Sequence, residues 1–167
     1  MKSVYIESSV ISYITSRPSR DIVTSARQAI SVEWWEAYKH SFELFVSELV
    51  LEEIGSGDSR AASTRLAIIE GIPVLVATPN ALTLAKSLIV ENAIPASSME
   101  DALHISIAAV QGVDFLLTWN FKHINNANTR DKITQVINRS NFRSPVLCSP
   151  EELINERLSN CRRNPKG

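Results

Sequence analysis

The chain has 167 residues, 44% of them hydrophobic and 21% charged, enough to bury one core without disulfide or metal staples. A formal net charge of −1 excludes a global positive field for nucleic acid and leaves that work to a local patch of Lys and Arg. Cys148 and Cys161 lack CxxC spacing and histidines in ligand register, so reduced thiols are expected in place of a disulfide framework or a zinc site.

The opening run MKSVYIESSVISYI meets the carboxylate of Glu7 where a secretory signal needs unbroken apolar residues. No apolar run approaches the roughly 20 residues of a membrane span. A cytoplasmic protein without a membrane partner is expected.

Short β-branched runs alternate with longer periodic stretches, the pattern of an α/β fold with a largely parallel sheet. Val4-Tyr5-Ile6 reads as the first strand. Asp21 caps a long helix reaching about His40. Leu44 to Val46 is the second strand, and Leu49 to Ile54 a short helix stopped by Gly55 and Gly57. An Ala-rich helix runs from Ser59 to Glu70 and ends at Gly71. Val74 to Val76 is the third strand, and Pro79 introduces a helix from Asn80 to about Glu91. Ser97 and Glu100 have capping-box spacing for a helix from Ser98 to Gln111, closed by Gly112. Phe115 to Leu117 is the fourth strand, followed by a helix from Asn128 to about Asn138. Val146-Leu147 is the fifth. Ser149-Pro150-Glu151-Glu152 is a second capping box, with Pro at the first helical position. One domain over residues 1–155 is expected, with a polar, basic and disordered tail over 156–167.

In an open parallel sheet all strand C-terminal ends share one edge, where ligand sites form. Glu7 directly follows the first strand, Asn120 follows Thr118 and Trp119 after the fourth, and Glu53 lies about one helical turn beyond Ser47. Asp101 opens a helix whose start can face the same crevice. Carboxylates crowded together repel unless a cation neutralises them. Mg2+ is suited to such a site because it takes a few carboxylates and keeps waters and phosphates as its remaining ligands. The ordinary alternative is that each acid is a solvated helix or strand end; Glu7 resists it, because it interrupts an apolar run where an unpaired charge is costly. Glu52 rivals Glu53, and only one of two adjacent helical positions can point inward.

Four segments, YIESSVISYI, VSELVLEEI, EDALHISIAAVQGVDFLLTWNF and VLCSPEEL, resemble the PIN-domain nucleases, and among them the VapC toxins of type II toxin–antitoxin systems, in order and spacing over roughly residues 3 to 155. The resemblance implies a three-layer α/β/α fold around a mostly parallel five-stranded sheet of order 3-2-1-4-5. It implies cleavage of RNA dependent on Mg2+ or Mn2+, a cognate antitoxin and a homodimer. Carried onto this sequence, the catalytic positions are Glu7, Glu53, Asp101 and Asn120, with Glu7, Glu53 and Asp101 as metal ligands; counting from Ser47 favours Glu53 over Glu52. Supporting positions are Ser8, Thr118 and His104. The chain departs from the family in carrying Glu7 where Asp is usual, a change that moves the carboxylate by about one bond length; a misplacement of about 1 Å can cost ~10²-fold in rate. This departure and the uncharged Asn120 motivate a second expectation, a weak or inactive PIN-like module that binds RNA or a protein partner.

Arg17, Arg20, Lys122 and His123 are candidates for a positive rim that positions RNA phosphates; solvated surface cations are the plain alternative. Trp119 is a candidate for stacking on a base, with simple packing as its rival, and one of Trp34 and Trp35 is expected in the core while the other meets a partner. A phosphoryl-acceptor domain also carries acids at strand ends, but Glu7-Ser8-Ser9 is not Asp-x-Asp and the third strand ends without an acid. Five glycines, none forming the required cluster, exclude P-loop and dinucleotide fingerprints.

Overall fold

The computed structural model describes residues 1–154; the tail expected over 156–167, and Cys161 within it, lie outside the described residues. Its strands are β1 (Ser3–Ile6), β2 (Glu43–Ser47), β3 (Val74–Leu75), β4 (Phe115–Leu117) and β5 (Val146–Cys148). They form a single sheet in the order β3-β2-β1-β4-β5 with every pairing parallel. The sheet is short because parallel strands covered on both faces need only a few apolar residues each. Val4, Tyr5 and Ile6 of the central β1 are fully buried, as are Leu116 and Leu117 beside them.

The helices are α1 (Ser8–Thr15), α2 (Ile22–Glu33), α3 (Glu48–Ile54), α4 (Ser59–Ile68), α5 (Pro79–Val90), α6 (Met99–Val110) and α7 (Arg130–Arg139), with residues 150–154 helical after β5. Helix α6 is buried along most of its length, from Ala102 through Ala109. Gly112, at φ +70°, turns the chain out of it into β4, a backbone conformation that favours glycine.

Two local expectations are corrected. The long helix from Asp21 does reach the 40s, but its α-helical part stops at Glu33; Trp34–Tyr38 form a π turn and Lys39–Ser41 a 3-10 turn. The wider turn seats Trp34 in the core, stacked 6.0 Å from Phe42, and leaves Trp35 half-buried under Lys39. The Ser97–Glu100 capping box does not form. Pro95 starts a 3-10 turn over Ala96–Ser98, helix α6 starts at Met99, and the hydroxyl of its cap residue Ser98 pairs with Nδ1 of His123 instead of with its own helix. At β5 the second box does form on its return side, Glu152 accepting the Ser149 N–H at 2.7 Å. Among the described residues no helix is long and apolar enough to cross a membrane.

Candidate active site at the carboxyl edge of the sheet

At the carboxyl ends of β1, β2 and β4 the next polar residue caps a helix or continues the ladder. Glu7 extends the β1–β4 ladder through its N–H to Leu117, and its side chain then caps α1 by accepting the Ser9 N–H at 3.1 Å. Shorter Asp, Asn and Ser are the usual caps; here the longer side chain reaches further. The same oxygen, Oε2, accepts the Ser9 hydroxyl and, at 2.8 Å, the Thr118 hydroxyl beyond β4. Oε1 has no hydrogen-bond partner among the described residues.

Ser47 ends β2 and caps α3 by accepting the Val50 N–H. Its hydroxyl meets that of Tyr5 at 2.7 Å, and Tyr5 meets Nδ1 of His104 at 2.7 Å. Nε2 of the same imidazole lies 2.5 Å from Oε1 of Glu53. Glu53 therefore faces inward from α3 while Glu52 is exposed. Burial pushes the Tyr5 hydroxyl far up from its ordinary value, and although the Ser47 bond lowers it, the Glu7 and Glu53 carboxylates push it up again.

A second pair of bonds holds the start of α6. Asp101 accepts the Asn120 side-chain amide at 3.0 Å on one oxygen and Nδ1 of His123 at 2.9 Å on the other. Asn120 accepts the His123 N–H through Oδ1 and donates its own N–H to Thr118 Oγ1. Thr118 thus sits between Glu7 and Asn120, donating to one and accepting from the other. One connected network contains Glu7, Thr118, Asn120, Asp101 and His123; the Glu53–His104–Tyr5–Ser47 chain lies beside it.

Ligand atoms of Glu7, Glu53 and His104 fall within 4.8 Å of one another, a cluster of the size a metal ion needs. Asp101 lies outside that group, both of its oxygens engaged. Whether the histidine can join them depends on where its proton sits. Ser47 accepts from Val50, and Tyr5 keeps its proton because burial disfavours the phenolate. A neutral His104 is then satisfied when Ser47 donates to Tyr5, Tyr5 to Nδ1, and Nε2–H to Glu53. If the ring is charged, the Tyr5 and Ser47 donors reverse and Nε2–H still donates to Glu53. In both of these states Nε2 carries a proton for Glu53; with the proton instead on Nδ1 and donated to Tyr5, which then donates to Ser47, Nε2 is open to a cation. The donors within reach of a divalent cation are carboxylate oxygens of Glu7 and Glu53, a set suited to Mg2+ or Mn2+, with Nε2 of His104 as a third in that tautomer. Ser8, at the first position of α1, adds a buried hydroxyl without a partner.

The other expected positions are placed as follows. Ser9, not Ser8, donates to Glu7, and the buried Ser8 hydroxyl has no partner among the described residues. His123 joins the Asp101 network, whereas Arg17, Arg20 and Lys122 are exposed. Trp119 is buried, its indole N–H donating to Ser31 of α2 at 2.7 Å, so packing describes it and base stacking does not. Arg27 covers its ring and that of Phe121 at 5.5 and 5.2 Å. Sequence reasoning assigns no role to Tyr5, Ser9 and Ser31, and it uses Ser47 only as the position from which Glu53 is counted, although a hydroxyl between a strand and a short helix is a cap signal.

The sequence matches no family model and no curated protein. Among solved structures it is similar to the VapC20 toxin of Mycobacterium tuberculosis, a sarcin–ricin loop cleaving toxin, with a TM-score of 0.56 and 17% identity over 75% of this chain and 95% of that one. It is similar also to VapBC2 of Rickettsia felis, solved bound to a DNA fragment from its promoter, with a TM-score of 0.56 and 13% identity over 87% of this chain and 97% of that one. At this identity the likeness is one of fold: the chain has the PIN-like α/β/α architecture of these VapC proteins.

Proposed function

We propose that the protein is a metal-dependent endoribonuclease, the toxin of a toxin–antitoxin pair, with Glu7, Glu53, Asp101 and Asn120 as its working residues. The observation that carries this reading is the pairing of Glu7 and Glu53, each with one oxygen held by the protein and the other without a partner among the described residues, within 4.8 Å. Protein donors supply the orientation and the remaining oxygens are left for a cation. Bound Mg2+ or Mn2+ supplies a polarised water for attack on a phosphodiester and charge to stabilise the leaving oxygen. His104 orients Glu53, Ser9 and Thr118 orient Glu7, and Asn120 links Glu7 to Asp101 through Thr118. Asp101 is the third acid of the proposed set, joined to Glu7 through Asn120 and Thr118.

The VapBC2 likeness supports a cognate antitoxin as partner, and a homodimer in the cytoplasm accords with the sequence resemblance. One observation favours the second reading, a weak or inactive RNA- or protein-binding module: both Asp101 oxygens are already taken. The deciding experiment compares wild type with Asp101→Ala for RNA cleavage in Mn2+ and for growth arrest on expression. Cleavage by the wild type and its loss in the variant are expected; equal activity of the two would reject the site, and RNA bound but left intact by the wild type would favour the module.

A further inference from the structure

A groove of about 430 Å3 lies between α1 and the start of α4, lined among others by Ser12, Thr15, Arg17, Arg60 and Arg65, with Asp58 as the carboxylate in its wall. Two of its charged groups are occupied in holding the chain. Asp58 caps α4 by accepting the Ala61 N–H at 2.9 Å. Arg65 donates to the carbonyls of Ile54 and Ser56, both at 2.7 Å, and so ties the turn that follows Glu53 to α4. The guanidinium groups of Arg17 and Arg60 have neither a hydrogen bond nor an ion pair among the described residues, and both residues are exposed. Three arginines against one carboxylate leave the groove positive in a chain whose net charge is −1.

The groove also starts in the right place. Glu7 caps α1 at one end and Arg17 follows its other end, about 12 Å away at 1.5 Å per residue. Ser8, Ser12 and Thr15 recur at i, i+4 and i+7, so they share one helix face. The opposite wall begins just beyond Glu53. The hydroxyl-bearing face of α1 therefore leads from the paired carboxylates to two uncommitted guanidiniums.

We propose that this groove is the track for the phosphate backbone of single-stranded RNA leaving the carboxylate pair, with Arg17 and Arg60 as its phosphate contacts. Arg17 acts here with Arg60 on the α1–α4 side. The proposal rests on the ribonuclease reading for what lies at the head of the track, but its test does not require cleavage. The full chain in EDTA is titrated against a fluorescein-labelled single-stranded RNA between about 50 and 200 mM KCl. Variants are Arg17→Gln, Arg60→Gln and the double substitution, with Arg139→Gln as a control on α7 and matching thermal midpoints as the check of folding.

Each groove substitution is expected to reduce the slope of log affinity against log salt by about 0.7, and at ~0.1 M salt to weaken binding about 5-fold, with the double variant losing the sum of the slopes and the control unchanged. Slopes unchanged in the double variant, as expected if the groove receives a protein segment, would overturn the track while leaving the nuclease reading intact; a wild type that fails to bind RNA would overturn the track and count against the nuclease reading as well. Slopes reduced as expected, with no cleavage by any protein on adding Mn2+, would uphold the track and remove the nuclease reading.

Discussion

The hydroxyl of Tyr5 on β1 lies 2.7 Å from Nδ1 of His104 on α6, with the two rings edge to face at 5.9 Å. This contact spans 99 residues of sequence and fixes the orientation of the imidazole, so that Nε2 faces Glu53. Without a cation, Nε2 with its proton is an orienting donor for that carboxylate.

Replacing Tyr5 with Phe removes that partner and leaves Nδ1 of a fully buried ring without one. A loss of about 1–3 kcal/mol in unfolding free energy is expected. In nitrogen NMR of the wild type, His104 should carry its proton on Nε2, and in the variant the ring should lose that fixed state. A wild-type ring protonated only on Nδ1 would contradict the donor order argued above.

The loop that carries Asn120 is anchored from the opposite side of the sheet edge by Ser31, which accepts the buried Trp119 indole N–H at 2.7 Å and itself donates to the Arg27 carbonyl. Ser31→Ala should cost about 1–3 kcal/mol, because the indole donor would stay buried and unpaired. Trp119 emission should shift as its surroundings change, with RNA cleavage falling alongside. Unchanged stability and emission would mean that the loop is held by packing alone.

Much of the fold was legible because parallel strands and their helices announce themselves locally. β1, β2, β4 and β5 stand where short β-branched runs predict them, and Glu7 was conspicuous as a charge inside such a run. Sheet order came with the family resemblance and not from periodicity. Side-chain pairing across the sheet was far less legible. His104 sits one turn from Asp101, so the sequence suggests support for that acid or an approach to the metal, and the ring turns to Glu53, 51 residues away. His123 reads as a surface cation beside Lys122 and is found bonded to Asp101. Sequence period assigns a residue to a face; which partner waits there depends on register and rotamer, set by the packing of other elements.

Asp114 stands at the amino end of β4, away from the candidate site. The Ser3 N–H bond, above all, and then Arg143 and the Ser3 hydroxyl hold its carboxyl below the ordinary 3.8, against the opposing effect of burial. A depressed folded value means stability that is present above about pH 4 and lost as pH falls through the lower folded value. Asp114→Asn should therefore be less stable than wild type in urea at pH 6, and the gap should narrow steadily below pH 4 with RNA cleavage near neutrality unaffected. A gap constant from pH 6 to the acid limit would show that the charge of Asp114 contributes nothing.

Glu7 poses the sharpest question, because its length is matched to two anchors. Oε2 accepts from Ser9 and Thr118 together, and an aspartate there, shorter by one methylene, would keep the cap on Ser9 only by giving up Thr118. Thr118 would then lose the acceptor through which it joins Glu7 to Asn120. If the carboxylate pair holds Mn2+, adding the metal to the wild type should raise its thermal midpoint by mass action, and EDTA should reverse the rise. Glu7→Gln and Glu53→Gln should each abolish most of that response, since a neutral amide cannot offset the cation. Glu7→Asp should keep a weakened response and lose about 10²-fold in cleavage, the cost of a carboxylate displaced by roughly 1 Å. Cleavage unchanged in Glu7→Asp would show that the Thr118 contact is dispensable, and a midpoint indifferent to Mn2+ in the wild type would remove the metal from Glu7 and Glu53 altogether.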